Sequence, residues 1–258
     1  MGEEARRQRI EEINQMRNEG IEPFPYRFDK THWADQIKRE FSYLKDSETK
    51  EDTTVRIAGR IVAMRNHGKS AFFVIRDNSG RIQAYVRLDG VGAENFEVFK
   101  KFVNIGDFVG VVGFPFKTHT GEMSVFVKEF EILSKAIRMM PEKWHGVRDK
   151  EIIYRQRYVE MLSSDDALRR FKVRSELFRL VREFLQSKDF IEVDTPMLHY
   201  LTGGASARPF RTYINVFESD MYLRIAEELF LKRYLVGGFE RIFEIGKNFR
   251  NEGVSYKH

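Results

Sequence analysis

Alternating apolar and polar residues between Val55 and Leu133, interrupted by glycine and asparagine, leave few folds open to this chain. Alternation matches the two-residue repeat of a half-buried strand. Val55–Met64 alternates, and Ala71–Arg76 and Arg81–Arg87 make a hairpin across Asp77-Asn78-Ser79-Gly80. Phe96–Val103 has helical spacing, and two further strands, Asp107–Phe114 and Ser124–Ile132, flank a Lys-Thr-His-Thr-Gly turn.

Three strands, a helix and two strands is the order of a five-stranded OB barrel, a fold that binds oligonucleotides on an aromatic-bearing face. Arg65, Phe72 and Gln83 fall on neighbouring strands and offer a cation, a stacking ring and an amide. Taken singly, each reads more readily as structural. Phe72 and Phe73 face opposite sides, so one of them points outward and the other into the core.

At 258 residues the chain has room for one or two domains with real cores. Hydrophobic content of 42% with 14% aromatics indicates a folded protein. With no cysteine, disulfides and thiolate metal sites are excluded. The six histidines, at 32, 67, 119, 145, 199 and 258, lack the spacing of a zinc site. No run approaches the roughly 20 apolar residues of a membrane span, and Met1–Arg17 is charged without an apolar leader, so the expected location is cytoplasmic. A formal charge of +5 and a pI near 9.2 favour a polyanionic partner, although 32% charged residues of both signs also suit a salt-bridged surface.

Glu3–Asn18 reads as a helix with Ile10, Ile13 and Met16 on one side, Arg6, Arg7, Arg9 and Arg17 elsewhere, and Gly20, Pro23 and Pro25 beyond its end. Thr31 is the expected N-cap of a second helix, Ala34–Leu44, and Ser47–Thr53 is a polar linker. Ala136–Val147, with Pro141 and Gly146, reads as a connector. Asp149–Met161 and Arg169–Gln186 read as helices, the second with Phe171, Leu177, Phe178, Val181 and Leu185 at helical spacing, followed by a strand Phe190–Val193 before Pro196. The resulting expectation is an α+β chain: a helical extension over 1–53, an OB domain over 54–135, a linker over 136–150 and a second domain over 151–258.

Chemistry concentrates in the second domain. In Thr202-Gly203-Gly204-Ala205-Ser206-Ala207-Arg208-Pro209-Phe210, paired small residues let a ligand approach the backbone, and Arg208 adds a cation. Neither a GxxxxGK[ST] loop nor a GxGxxG is present. Tyr222–Ile225 reads as a strand and Ala226–Val236 as a helix, with Glu228 in its first turn, where the helix dipole favours a carboxylate. A last strand, Arg241–Ile245, leads to Phe249-Arg250-Asn251-Glu252-Gly253. If the strand continues, Arg250 and Glu252 share a face, able to hold a nucleotide or to close a strand-end salt bridge.

As a set, RYVEML (157–162), KDFIEVDTP (188–196), TGGASARPF (202–210), YLRIAEELFLKR (222–233) and FRNEG (249–253) with His258 resemble the class II lysyl-tRNA synthetases. GIEPFPYRF (20–28), the OB domain and the Gly121-Glu122 turn resemble the same family's N-terminal part, so the resemblance covers essentially the whole chain. It implies an OB anticodon-binding domain followed by part of a class II antiparallel sheet with flanking helices. L-lysine and Mg-ATP would give lysyl-adenylate, and the lysyl group would pass to tRNA(Lys). It also implies a homodimer through residues 169–196, with no membrane or DNA partner. Gly204, Ala205 and Glu228 match the residues that hold the substrate amino group, while Arg250 matches the cation bridging the lysine carboxylate and the ATP α-phosphate. Glu252 matches the adenine reader, and His258 a residue near the triphosphate. Arg65, Phe72, Gln83 and Glu122 match anticodon readers. No metal ligand is expected within these residues, and the Mg²⁺ carboxylates are expected beyond residue 258.

Two positions depart from the family pattern: Glu227 stands where proline is usual, and Lys257 where arginine is usual. The chain ends inside the second class II motif, which implies open sheet edges and no activity from these residues alone. Two other readings stand beside this one: a non-catalytic RNA-binding or regulatory paralogue, and an aspartyl- or asparaginyl-type synthetase, against which TGGASARPF argues.

Overall fold

The structure, a computed structural model, describes residues 2–139 and 149–253. They form two compact units divided between 140 and 141. Pro141, Gly146, Lys257 and His258 lie outside the described residues.

Unit 1 comprises α1 (Gly2–Asn18), α2 (Ala34–Glu40), β1 (Val55–His67), β2 (Ser70–Arg76), β3 (Arg81–Arg87), α3 (Leu88–Val91), α4 (Ala93–Phe102), β4 (Phe108–Lys117) and β5 (Met123–Ser134). The strands close into a barrel in the order β1-β2-β3-β5-β4, with β3 and β5 parallel and the other pairs antiparallel. The OB topology expected from the alternation holds. Val55, Ile57 and Ile61 of β1, Phe73 and Ile75 of β2 and Ile82, Ala84 and Val86 of β3 fill the interior, and Phe96, Phe99 and Phe102 of α4 pack onto them. Phe73 is the inward member of its pair.

Register shifts in β1 between Ile61 and Ala63, where the extra residue is Val62. A bulge reverses which residues face in. Odd-numbered positions point inward up to Ile61, whereas beyond it Met64 pairs with inward Phe73 and Arg65 with outward Phe72. Simple alternation would have sent Arg65 into the core.

Helix α1 docks through Ile13 and Met16, as its spacing requires, and is anchored by charge. The ammonium of Lys135 lies 2.6 Å from Asp107, both fully buried, and 3.4 Å from Glu12 of α1. Glu12 also accepts from Asn104 Nδ2 at 2.7 Å.

Helix α2 stops at Glu40, short of the expected Leu44, and Trp33, not Thr31, occupies its N-cap. The Thr31 hydroxyl instead accepts from the Arg56 N–H at 2.9 Å. The orphan N–H groups of α2 go to the β2–β3 turn: Ala34 N–H donates to Asp77 Oδ2 at 2.9 Å and Asp35 N–H to Ser79 Oγ at 3.0 Å. Asp77 also accepts from Lys30 Nζ and from the N–H groups of Ser79 and Gly80.

Unit 2 comprises α5 (Lys150–Arg155), α6 (Arg157–Ser163), α7 (Asp165–Gln186), β6 (Ile191–Glu192), β7 (Leu198–His199), β8 (Arg211–Ile214), β9 (Ser219–Leu223), α8 (Glu228–Val236) and β10 (Ile242–Phe243). β7, β9 and β8 form an antiparallel sheet, and β10 pairs with β6 in parallel. The single helix expected over 149–161 is two, broken at Gln156, whose backbone at φ −125 and ψ 55 leaves the helical region. Helix α7 begins four residues before Arg169 because the Ser164 hydroxyl caps Ala167 N–H and Asp165 and Asp166 occupy the first turn. Much of its apolar surface is bare: Val173, Leu177, Leu180 and Phe184 are 48–63% exposed. Among the described residues, the buried hydrophobics of unit 2 are Ala167, Met221, Ile225 and Phe243.

Burial pushes the Asp77 carboxyl up, but the Lys30 ammonium and the N–H bonds from Ala34 and Ser79 outweigh it and hold the group below the ordinary carboxylate range. A depressed carboxyl contributes stability that is complete above its unfolded value and is lost as pH falls through its folded value. Asp77→Asn should therefore lower the melting temperature at neutral pH, with the deficit shrinking on acidification below about pH 4, as read from thermal melts across a pH series.

Candidate active site and nucleic-acid interface

On the outer face of the barrel, cross-strand pairing aligns Arg65, Phe72, Tyr85, Phe126 and Phe114 in one row. Phe72 stacks on Tyr85 with ring centres 4.2 Å apart, and Phe126 stacks on Phe114 at 5.0 Å. In the adjacent row Gln83 donates to the Ser124 hydroxyl at 3.2 Å. Arg65, Phe72 and Gln83 line one groove of about 540 Å³, together with His67 and the Thr118–Thr120 turn. Arg65 is exposed and without a side-chain partner among the described residues. Glu122 belongs to the same β4–β5 turn but does not line the groove, and its carboxylate lies 4.0 Å from Lys38. A free cation, a stacked ring and an amide on an open face suit single-stranded nucleic acid, whose bases stack and whose backbone is anionic.

In unit 2 three segments meet. Gly204 has φ +84, a conformation glycine adopts freely, and a Cβ there would come within 3.0 Å of Glu228 Cβ. Loop 202–210 is thus seated on the first turn of α8. Asn251 N–H donates to the Arg208 carbonyl at 2.7 Å, which joins the same loop to the segment carrying Arg250. The third link, between α8 and that segment, is Asn248 Nδ2 donating to Glu227 Oε2 at 2.9 Å. Gly204, Glu228 and the Arg250 segment are therefore assembled in one region, with Ala205 exposed on the loop. Arg250 and Glu252 are exposed and make no side-chain hydrogen bond or ion pair among the described residues. Glu228 accepts from Lys232 Nζ at 2.6 Å along the helix and is half exposed. The backbone at Glu227 is helical, φ −82 and ψ −13, so the helix starts without a proline.

One expectation fails here. Arg250 and Glu252 do not ride on a continuing strand, because β10 ends at Phe243. The chain leaves the ladder where Glu244 turns to meet Arg224, whose Nη1 donates to Glu244 Oε1 at 2.5 Å and to Thr195 Oγ1 at 2.7 Å. Arg224 Nε donates to the Lys247 carbonyl at 3.0 Å, and its own carbonyl accepts from Phe249 N–H at 2.9 Å. A Cβ on Gly246 would lie 2.1 Å from Arg224 Nη2, so the loop's close approach requires glycine. The guanidinium is buried, 1% exposed, and organises the loop that presents Arg250. Sequence reasoning missed this group. Its signal was a charged residue set between apolar neighbours in Met221-Tyr222-Leu223-Arg224-Ile225.

Residues 55–133 match the OB-fold nucleic acid binding domain, and residues 149–258 match the class II tRNA synthetases (D, K and N). Over 258 residues the chain is 58% identical to the lysine–tRNA ligase of Thermotoga maritima and 59% identical to that of Thermosipho africanus. Over 252 residues it is 45% identical to the lysine–tRNA ligase of Clostridium tetani. The matches cover 100%, 100% and 97% of this chain but 51%, 51% and 49% of those relatives, so the chain spans about half the length of the curated relatives it matches. Among the described residues, no helix is long and apolar enough to cross a membrane.

Arg224→Met leaves Glu244 buried without its cation, and removing one partner of a buried pair costs about 3–5 kcal/mol. Denaturant unfolding should show that loss in Arg224→Met, with a smaller loss when Glu244→Met is added.

Proposed function

We propose that the chain forms the anticodon-reading barrel and the amino-acid-activating face of a lysine–tRNA ligase. The observation that carries this reading is the three-way meeting of loop 202–210, the first turn of α8 and the segment carrying Arg250. The lysine–tRNA ligases named among its relatives support the choice of amino acid. Glu228, with the backbone at Gly204 and Ala205, holds the substrate α-amino group. Arg250 spans the lysine carboxylate and the ATP α-phosphate, where negative charge grows during in-line attack, so its contribution is larger in the transition state than before it. Carboxylate oxygen attacks the α-phosphorus and pyrophosphate departs, leaving lysyl-adenylate. The terminal adenosine of tRNA(Lys) then takes the lysyl group and releases AMP. Glu252 reads adenine, and His258, outside the described residues, lies near the triphosphate.

Among the described residues, no group of three or more His, Asp or Glu is placed to hold Mg²⁺. On the barrel, Phe72 stacks an anticodon base while Arg65, Gln83 and Glu122 read its neighbours. The bare apolar surface of α7 pairs with a second copy through residues 169–196, and the assembly works in the cytoplasm.

ATP–pyrophosphate exchange by the full-length protein, assayed with each of the twenty amino acids, should be stimulated by lysine. Stimulation by aspartate or asparagine instead overturns the assignment. Tight tRNA binding without exchange would favour a regulatory RNA-binding protein. Phe72→Ala should weaken tRNA(Lys) binding by about 1–3 kcal/mol through lost stacking while leaving lysine-dependent exchange unchanged, which filter binding and the exchange assay check together.

A further inference from the structure

We infer that Glu227 is a positioning residue, a side-chain tether that holds the first turn of α8, and with it Glu228, to the loop that presents Arg250. The catalytic part of the inference rests on the lysine-activation reading above. Glu227 Oε2 accepts from Asn248 Nδ2 at 2.9 Å, and Oε1 lies 4.0 Å from Arg224 Nη2. The side chain is 20% exposed, so both contacts are partly shielded from water. The Glu227 carbonyl accepts the N–H groups of Phe230 and Leu231 at 3.1 Å each, which makes it the first rung of α8. On the other side of the link, Asn248 is followed by Phe249, whose N–H is bonded to the Arg224 carbonyl, and then by Arg250.

One residue therefore touches, through its main chain, the helix bearing the carboxylate and, through its side chain, the loop bearing the cation. Two groups that act on opposite ends of one small substrate must keep a fixed separation, and a misplacement of about 1 Å can cost on the order of 100-fold in rate. The backbone angles at Glu227 are ordinary for any residue, so replacing its side chain leaves the turn unstrained. Asn248 is exposed, so its replacement creates no buried cavity.

The test compares E227A, N248A, the double variant and E227Q in the full-length protein. E227A and N248A should each lower kcat for lysine-dependent exchange roughly tenfold with KM for lysine nearly unchanged. The double variant should be no worse than either single, because one shared contact is lost only once. E227Q, which keeps an oxygen for Asn248, should stay close to the parent. Hydrogen exchange at the Phe249 amide, followed without substrate, should quicken in E227A and N248A but not in E227Q. Additive losses, an effect on KM alone, unchanged Phe249 exchange, or an E227Q as impaired as E227A would overturn the tether. Should the parent show no exchange with any amino acid, the activation reading falls, and Phe249 amide exchange still decides whether the tether exists.

Discussion

Removing a guanidinium from water costs several kcal/mol unless every donor finds an acceptor. At Arg224 the Nε and Nη1 donors find theirs in Glu244, Thr195 and the carbonyls of Thr195 and Lys247, drawn from two separate stretches of chain, and Nη2 faces Glu227 Oε1 at 4.0 Å. The geometry of unit 2 follows from it. Glu244 must leave the β10 ladder to reach the cation, Gly246 must lack a side chain to pass it, and Phe249 returns to bond the Arg224 carbonyl. A chain bent through these points delivers Arg250 beside the loop that carries Gly204. Exposed groups on irregular backbone are thereby held by a rigid charged centre, a way of making loop positions as definite as positions on a helix.

The barrel solves a different problem with apolar means. Its interior is closed by aliphatic residues from all five strands and by three phenylalanines of α4, which leaves the outer surface free to carry aromatic rings without threatening the fold. Phe72 can sit half-buried on the outer face because Tyr85 covers one side of it and the bulge at Val62 places Arg65 next to it. A row of rings flanked by a cation and an amide is then a by-product of sheet register, each strand adding one member.

Much of this was legible in the amino-acid order. Alternation over 55–133 gives the strands and the hairpin, which depend on neighbours close in sequence, and the order of strands and helix gives the OB topology. Gly204, Glu228 and Arg250 could be picked out because glycine pairs and charged tips are unusual locally. What escaped depends on partners far away. The bulge in β1 leaves no mark in the residue types, and the break at Gln156 was equally hidden. The Arg224–Glu244 pair spans 20 residues and the Thr195–Glu244 bond spans 49, so no window of sequence contains either. Strand Arg241–Ile245 was read too long for the same reason, because a tertiary charge contact overrode a sound local pattern.

The cap on α2 carries a consequence for biosynthesis. That helix is seven residues long, too short to persist alone in water, and its first N–H is satisfied by a carboxylate 43 residues downstream. During translation the segment emerges well before Asp77 does, and it has nothing to hold it until the β2–β3 hairpin has turned. Helix α2 is thus made before the turn that caps it and ordered after it, on a hairpin that must already exist to receive it.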